Sequence, residues 1–355
     1  MKAQLEPGAN ATSVRVMLVD DSAVVRGLMR RWIDAEPGMD IVASAINGQE
    51  AVSEAARVQP DIIILDLEMP VLSGMQALPQ LRQIAPTAKI LIASTLTTRN
   101  ARASLAAMRA GATDYLAKPD AATSRDQFQN QLIAKLRALS EVTKIASDQN
   151  GARVMGLQKS RRWTGEMKLL AIGASTGGPQ ALNELFGALS GKLESCAVLV
   201  TQHMPAHFTK LLGEDLSQRI GLPGGEAVDG EPVLAGRLYM APGGFHMRLA
   251  GEAGALRIVI GDDPAINFCK PAVDPMFESI ATHYGQDCAA VMLTGMGSDG
   301  AIGAKAIHDA GGVVLAQDQA TSTVWGMPGA AVSVGAVDQM LPLQKIGARL
   351  LQLKA

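Results

Sequence analysis

Aromatic residues are scarce in this chain, at 3% of 355 residues, so its cores must be built from Ala, Val, Leu, Ile and Met. Cysteine is equally sparse. Cys196, Cys269 and Cys288 are scattered with no C-x-x-C spacing, which excludes a disulfide framework or a zinc ribbon and fits a reducing cytoplasm. Positive charge is not in excess: the formal net charge is −2. A nucleic-acid-binding face would need a surplus of Lys and Arg, so that class of partner is not expected. No apolar run reaches membrane-spanning length, and the opening MKAQLEPGANAT lacks the apolar stretch of a signal peptide. These absences predict a soluble cytoplasmic protein without direct membrane insertion. What remains is ordinary globular composition, 48% apolar and 19% charged, in a chain long enough for two domains.

From Val14 onward, short apolar runs alternate with helical patterns. The runs are VRVMLV (14–19), DIIIL (61–65), KILIA (89–93) and, more weakly, ATDYLA (112–117). Such alternation predicts a parallel sheet covered by helices, with functional groups at the carboxyl ends of its strands. A helical pattern from Arg125 to about Leu139 closes this region. Between about Ser140 and Glu166 the periodicity fades into a polar linker, where Lys159, Arg161 and Arg162 read as a solvated basic run. A second series starts at Met167: KLLAIGA, CAVLVTQ, RLYMAP, LRIVIG, CAAVMLTG and GGVVLAQ all read as buried strands of a largely parallel sheet. Helical patterns lie at Pro179–Leu189 and Gly303–Ala310. The fold class is α/β throughout, with no internal repeat.

In the first series, Asp20 and Asp21 follow the first run, Asp66 the second, Ser94 and Thr95 the third, and Lys118 and Pro119 the fourth. Carboxylates gathered at one sheet edge repel one another unless a cation sits among them. A hard, oxygen-preferring ion such as Mg²⁺ suits them, and a lysine suits phosphate oxygens. Any one of these residues alone is an ordinary turn or capping residue. Their order at successive strand ends is what carries information.

VDDSAVVR, ILDLEMPVLSG, IAST and YLAKP together resemble the receiver domain of two-component response regulators, over roughly residues 14–135. The resemblance implies a flavodoxin-like fold with Asp66 as phosphoacceptor. It implies Asp20, Asp21 and Asp66 around Mg²⁺, Ser94 reporting the phosphoryl group and Lys118 pairing with it. An aspartyl phosphate adds charge and three acceptor oxygens, enough to reposition a hydroxyl and its loop.

In the second series, LLAIGASTGGPQAL reads as strand, glycine-rich turn and helix. Ser175 lies between Gly173 and Gly177, satisfying G-x-S-x-G. Alone the pattern is weak, because glycine-rich turns also cradle phosphates. This one matches neither G-x-G-x-x-G nor a P-loop. A serine nucleophile needs a base, and the chain has five histidines. His203 is best placed, at the end of CAVLVTQ. His207 makes H-M-P-A-H with it, but Pro205 and Met204 argue against a zinc helix. His246, His283 and His308 read as packing or surface residues, with His246 kept as a candidate substrate contact. Asp299, in LTGMGSDGA, is the candidate orienting acid. Asp274 and Asp318 compete, each with a simpler reading as a cap or loop residue. The order Ser, His, Asp differs from that of α/β-hydrolases, so the chemistry does not import that fold.

IGASTGGPQAL, TQHMPAHFTKLL, LYMAPGGFHM, KPAVDPMFESIA, LTGMGSDGA and WGMPGAA resemble successive motifs of the CheB family, the chemotaxis protein-glutamate methylesterases, over about residues 167–352. The resemblance implies a doubly wound α/β hydrolytic domain with Ser175 as nucleophile, His203 as base and Asp299 as orienting acid. Thr176 and the backbone amide of Met296 match positions tied to substrate or oxyanion binding. INFCKPAVD departs from the family pattern, in which a more basic segment with a histidine is expected near Cys269. The implied layout is a receiver at 13–135, a linker at 136–165 and a methylesterase domain at 166–353. The implied partners are a chemotaxis histidine kinase as phosphodonor and methyl-accepting receptors as substrates. The resemblance also implies glutamine deamidation alongside demethylation, with no metal in the catalytic domain. A receiver joined to an otherwise complete hydrolase is expected to cover the Ser175 cleft until Asp66 is phosphorylated.

Two other classes fit less well. A DNA-binding output would need a basic helix-turn-helix domain. A nucleotide-dependent oxidoreductase would need an acid after the next strand to hold a ribose, where Gln202 and His203 stand instead.

Overall fold

The computed structural model describes residues 13–95, 97–118, 125–147, 163, 165–252 and 254–354, which form two compact units. The elements of the N-terminal half are β1 (Val14–Val19), α1 (Ala23–Asp34), β2 (Met39–Ala45), α2 (Gly48–Val58) and β3 (Ile62–Asp66). They continue as α3 (Gly74–Ile84), β4 (Lys89–Ser94), α4 (Thr98–Arg109), β5 (Asp114–Ala117) and α5 (Arg125–Ser147). The strands make one sheet in the order β2-β1-β3-β4-β5, every pair parallel. This is the flavodoxin-like order, and its direction reverses between β1 and β3. Buried β-branched residues such as Ile62, Ile63 and Ile64 form the middle of the sheet. The helix starts are set locally: Ser22 accepts from Val25 N–H at the head of α1, and Ser73 with Gln76 forms a capping box on α3.

The run reading found four of these five strands. It misses β2, an edge strand mixing buried, partly buried and exposed residues, which gives no continuous apolar run. The helix expected to end near Leu139 continues to Ser147, because SEVTKIAS contains no helix breaker. Residues 148–162 of the expected linker, with Lys159, Arg161 and Arg162, lie outside the described residues, as do Pro119 and the first twelve residues. Trp163, at the linker's far end, donates its indole N–H to Gln286 O at 2.9 Å and so belongs with the second unit.

The second unit contains β6 (Leu169–Ala174), α6 (Gly178–Leu189), β7 (Ala197–Gln202), α7 (Ala206–Ile220), β8 (Gly224–Glu226) and β9 (Leu238–Met240). Then follow β10 (His246–Ala250), β11 (Arg257–Gly261), α8 (Val273–Tyr284), β12 (Cys288–Met292) and α9 (Ala301–Asp309). The chain closes with β13 (Val313–Gln317), α10 (Gly326–Ser333), β14 (Gln339–Leu341) and α11 (Leu343–Lys354). The main sheet runs β14-β13-β12-β6-β7-β9-β8 and is parallel throughout. LRIVIG is the exception to the buried-strand expectation. It forms β11, which pairs antiparallel with β10 in a separate, half-exposed ribbon. The core under the main sheet is aliphatic, with Tyr239 and Phe277 as its large rings. Among the described residues, no helix is long and apolar enough to cross a membrane.

The chain leaves β6 toward β7 on one side and returns to β12 on the other. The β6/β12 boundary is therefore the switch point, where crevices open at the strands' carboxyl ends. Phe277, on α8, is wholly buried beneath this edge. Phe277→Ala should cost the second unit about 3–5 kcal/mol, read as a lowered urea midpoint with an unchanged m-value.

Candidate active site

The register of β6 against β7 pairs Ala174 with Gln202, so Ser175 and His203 are the next residues on adjacent strands. Each is pinned by its backbone. Ser175 N–H donates to Thr294 O at 3.0 Å, its carbonyl accepts from Gly178 N–H and from Gln202 Nε2 at 2.9 Å, and His203 N–H donates to Ala174 O. Gly177, at φ +77°, turns the chain into α6. From the opposite side the loop after β12 comes so close that a Cβ on Gly295 would lie 2.9 Å from Ser175 Cβ and 2.3 Å from Met327 Sδ. Met296 follows in that loop, half-buried, and among the described residues neither its amide nor that of Thr176 has an acceptor. Thr176 itself is buried, and its carbonyl accepts from Thr294 Oγ1.

Asp299 and His203 meet: His203 Nε2 lies 2.7 Å from Asp299 Oδ2. The same carboxylate accepts from the first amides of α8, Val273 N–H at 2.6 Å and Asp274 N–H at 3.2 Å. It thus caps a helix from another segment and takes the favourable end of its dipole. Because a carboxylate only accepts, Nε2 carries the proton of the neutral ring, and Nδ1 then holds the free lone pair. That lone pair faces Cys269, whose Sγ is 3.4 Å away, and no hydrogen bond joins it to the Ser175 hydroxyl. Burial disfavours the imidazolium, but the bond to Asp299 and the Cys269 sulfur outweigh it and raise the pKa of His203 to about 9. Burial also works against the Asp299 carboxylate, yet His203 and the α8 amides hold its pKa below the usual value. Beside it Asp274 is pushed up to about 6, by burial and by the Asp299 charge, although Gly303 N–H donates to it.

Sequence reasoning did not anticipate Gln202 or Thr294, the two side chains that clamp the backbone around Ser175. His246 is no substrate contact. It is wholly buried, with Nε2 3.0 Å from Pro264 O and Nδ1 accepting from Ala272 N–H, so the backbone uses both ring nitrogens. Asp318 is a turn residue accepting from Thr321, and His207 is exposed.

In the first unit, Asp20 and Asp21 follow β1 and Asp66 ends β3, at that sheet's own switch point. A carboxylate oxygen from each lies within 4.8 Å of the others, an all-oxygen donor set that fits a hard divalent cation. Lys118 Nζ lies 2.7 Å from both Asp20 Oδ2 and Asp66 Oδ2. Burial raises the pKa of Asp66 despite that lysine. Ser94 is buried at the end of β4, its carbonyl accepting from Lys118 N–H at 2.7 Å.

A receiver-type sheet with an acidic pocket and a parallel α/β unit with a serine, a histidine and an aspartate at its carboxyl edge define a response regulator with a hydrolase output. Residues 16–128 match the response regulator receiver domain and residues 170–350 match the CheB methylesterase. The chain belongs to the CheB methylesterase family. It is 42% identical to the protein-glutamate methylesterase/protein-glutamine glutaminase of group 2 operon of Rhodospirillum centenum, over 96% of this chain and 94% of that one. It is 44% identical to the protein-glutamate methylesterase/protein-glutamine glutaminase of Rhodopseudomonas palustris strain BisB5, with the same coverage. The crystal structure of the Thermotoga maritima CheB methylesterase catalytic domain matches 54% of this chain and 99% of its own, at 39% identity and a TM-score of 0.51.

The hydrogen bond to Asp299 is the main support of the His203 imidazolium. Asp299→Asn should lower the NMR titration midpoint of His203 by about one unit or more; an unmoved midpoint would assign the shift elsewhere.

Proposed function

We propose that this chain is a phosphorylation-regulated serine hydrolase that demethylates glutamate γ-methyl esters on methyl-accepting chemotaxis receptors and deamidates glutamines there. The observation that carries this reading is the buried His203–Asp299 pair on the strand end next to Ser175. The names of the relatives supply the substrate class.

Ser175 Oγ attacks the ester carbonyl and passes its proton to His203 Nδ1, the ring nitrogen that Asp299 leaves free. The unengaged amides of Thr176 and Met296 receive the developing oxyanion. His203 returns the proton to the leaving oxygen, methanol departs, and water activated by the same base releases glutamate. With a glutamine the leaving group is ammonia and the acyl-enzyme is identical. Asp299 fixes the ring's tautomer and balances its charge.

In the receiver, which we place at 13–135 ahead of a linker at 136–165 and a hydrolase at 166–353, Asp66 accepts a phosphoryl group from a chemotaxis histidine kinase. Asp20, Asp21 and Asp66 would hold Mg²⁺, which would supply positive charge against the phosphoryl oxygens. Lys118 pairs with the phosphoryl oxygens, and the Ser94 hydroxyl follows them. These roles belong to a protein working in the cytoplasm.

Methanol release from a methylated receptor fragment tests the proposal. Release should rise with a small phosphodonor and Mg²⁺, and fall at least about 10⁴-fold in Ser175→Ala. No release from a phosphorylated protein would overturn the substrate assignment. The reacting form needs a neutral Nδ1, and the pKa of His203 lies up near 9, so kcat/KM should climb with pH through that region. Cys269→Ala removes one support of the imidazolium and should move the rising limb to lower pH; an unmoved limb would show the sulfur to be uncoupled from the base.

A further inference from the structure

We infer that Cys269 and His203 form a binding site for a thiophilic divalent metal ion, zinc by chemistry, and that occupying it silences the hydrolase. The second half rests on His203 being the base. Cys269 Sγ and His203 Nδ1 are 3.4 Å apart. With Zn–S near 2.3 Å and Zn–N near 2.0–2.1 Å, that separation subtends about 100–105° at the metal, close to tetrahedral. His203 is already set as a ligand. Its Nε2–H is held by Asp299 at 2.7 Å, which presents the Nδ1 lone pair outward and makes the carboxylate–histidine arrangement typical of bound zinc. Sγ, Nδ1 or Nε2, and an Asp299 oxygen fall within 4.8 Å of one another.

The thiol is held in place rather than carried on a loose loop. Ile266 and Cys269 exchange both backbone hydrogen bonds, N–H to O, at 3.1 and 2.8 Å around a two-residue turn. Asn267 and Phe268 occupy that turn at φ 50° and 63°, the left-handed pair of a type I′ turn. The site also has access from outside: Cys269 is half-buried and the His203 side chain is 11% exposed. The other two thiols are buried and donate to Met167 O and Gly285 O, so neither competes.

Metal binding displaces the Cys269 thiol proton and the Nδ1 proton of the His203 imidazolium to solvent, forms S–M and N–M bonds, and leaves two tetrahedral positions to water. It consumes the lone pair that must take the Ser175 proton. The Mg²⁺ that suits the acidic pocket of the receiver prefers oxygen and would not occupy a sulfur–nitrogen pair.

The test uses Co²⁺ as a probe on the full-length protein in excess Mg²⁺. A thiolate-to-cobalt charge-transfer band should appear at one equivalent, disappear on adding Zn²⁺, persist in Ser175→Ala, and be absent from Cys269→Ser. Cys269→Ser should weaken Zn²⁺ at least about tenfold in competition with a chromophoric chelator. Should that variant fold poorly, wild-type protein carboxymethylated at its accessible thiol serves the same purpose. No band, or a band that survives loss of the Cys269 thiol, overturns the metal site. A Cys269-dependent band with methanol release unchanged by Zn²⁺ leaves the metal site standing and overturns both the silencing and the assignment of His203 as base.

Discussion

The Asp299 carboxylate is the interaction on which the hydrolase unit depends. It is buried, and it gathers an imidazole from the end of β7 and two amides from the start of α8. An ionised carboxylate is costly to bury unless hydrogen bonds and opposite charge compensate it. Here a helix N-terminus and a histidine do so together, and the pKa of Asp299 stays low. The same bonds lock three segments far apart in sequence at one sheet edge and fix which nitrogen of His203 is free. The cost of this arrangement shows at Asp274, the second residue of α8, whose carboxyl is pushed up to about 6 by burial and by the Asp299 charge.

The receiver unit meets the same problem with different groups. Asp20 and Asp66 stand at a buried sheet edge, and Lys118 bridges both at 2.7 Å. In each unit the acid sits where the strand order reverses, because only there do the carboxyl ends of neighbouring strands diverge enough to leave room for a substrate. A lysine and a divalent cation suit phosphoryl chemistry. An imidazole beside a serine suits acyl transfer. The architecture is shared, and the compensating charge decides the chemistry.

Much of this was legible in the sequence because buried parallel strands write themselves as continuous apolar runs, and the residue after each run marks a sheet edge. Asp20, Asp66, Lys118, Ser175 and His203 all stand at such positions, whereas Asp299 lies further along the loop after its run. Edge and ribbon strands carry no such signature, which is why β2 was missed and β11 was assigned to the wrong sheet. His246 is the packing residue that its sequence setting suggests; its alternative as a substrate contact fails because backbone encloses it and uses both its nitrogens. Gln202 was noticed only for not being an acid; that its amide holds the Ser175 carbonyl depends on register, which the run pattern does not contain. Cys269 was visible as a departure from the family pattern, but its contact with the base comes from the tight turn at 266–269.

That contact makes the identity of the nucleophile the central question, since His203 has one free nitrogen and both Ser175 and Cys269 stand near it. The most direct measurement is rapid-quench mass spectrometry of the full-length protein turning over a methylated receptor peptide, with the acyl adduct mapped by digestion. The account predicts a glutamyl adduct on the peptide containing Ser175, absent from Ser175→Ala. An adduct on the peptide containing Cys269, or steady turnover by Ser175→Ala, would contradict it.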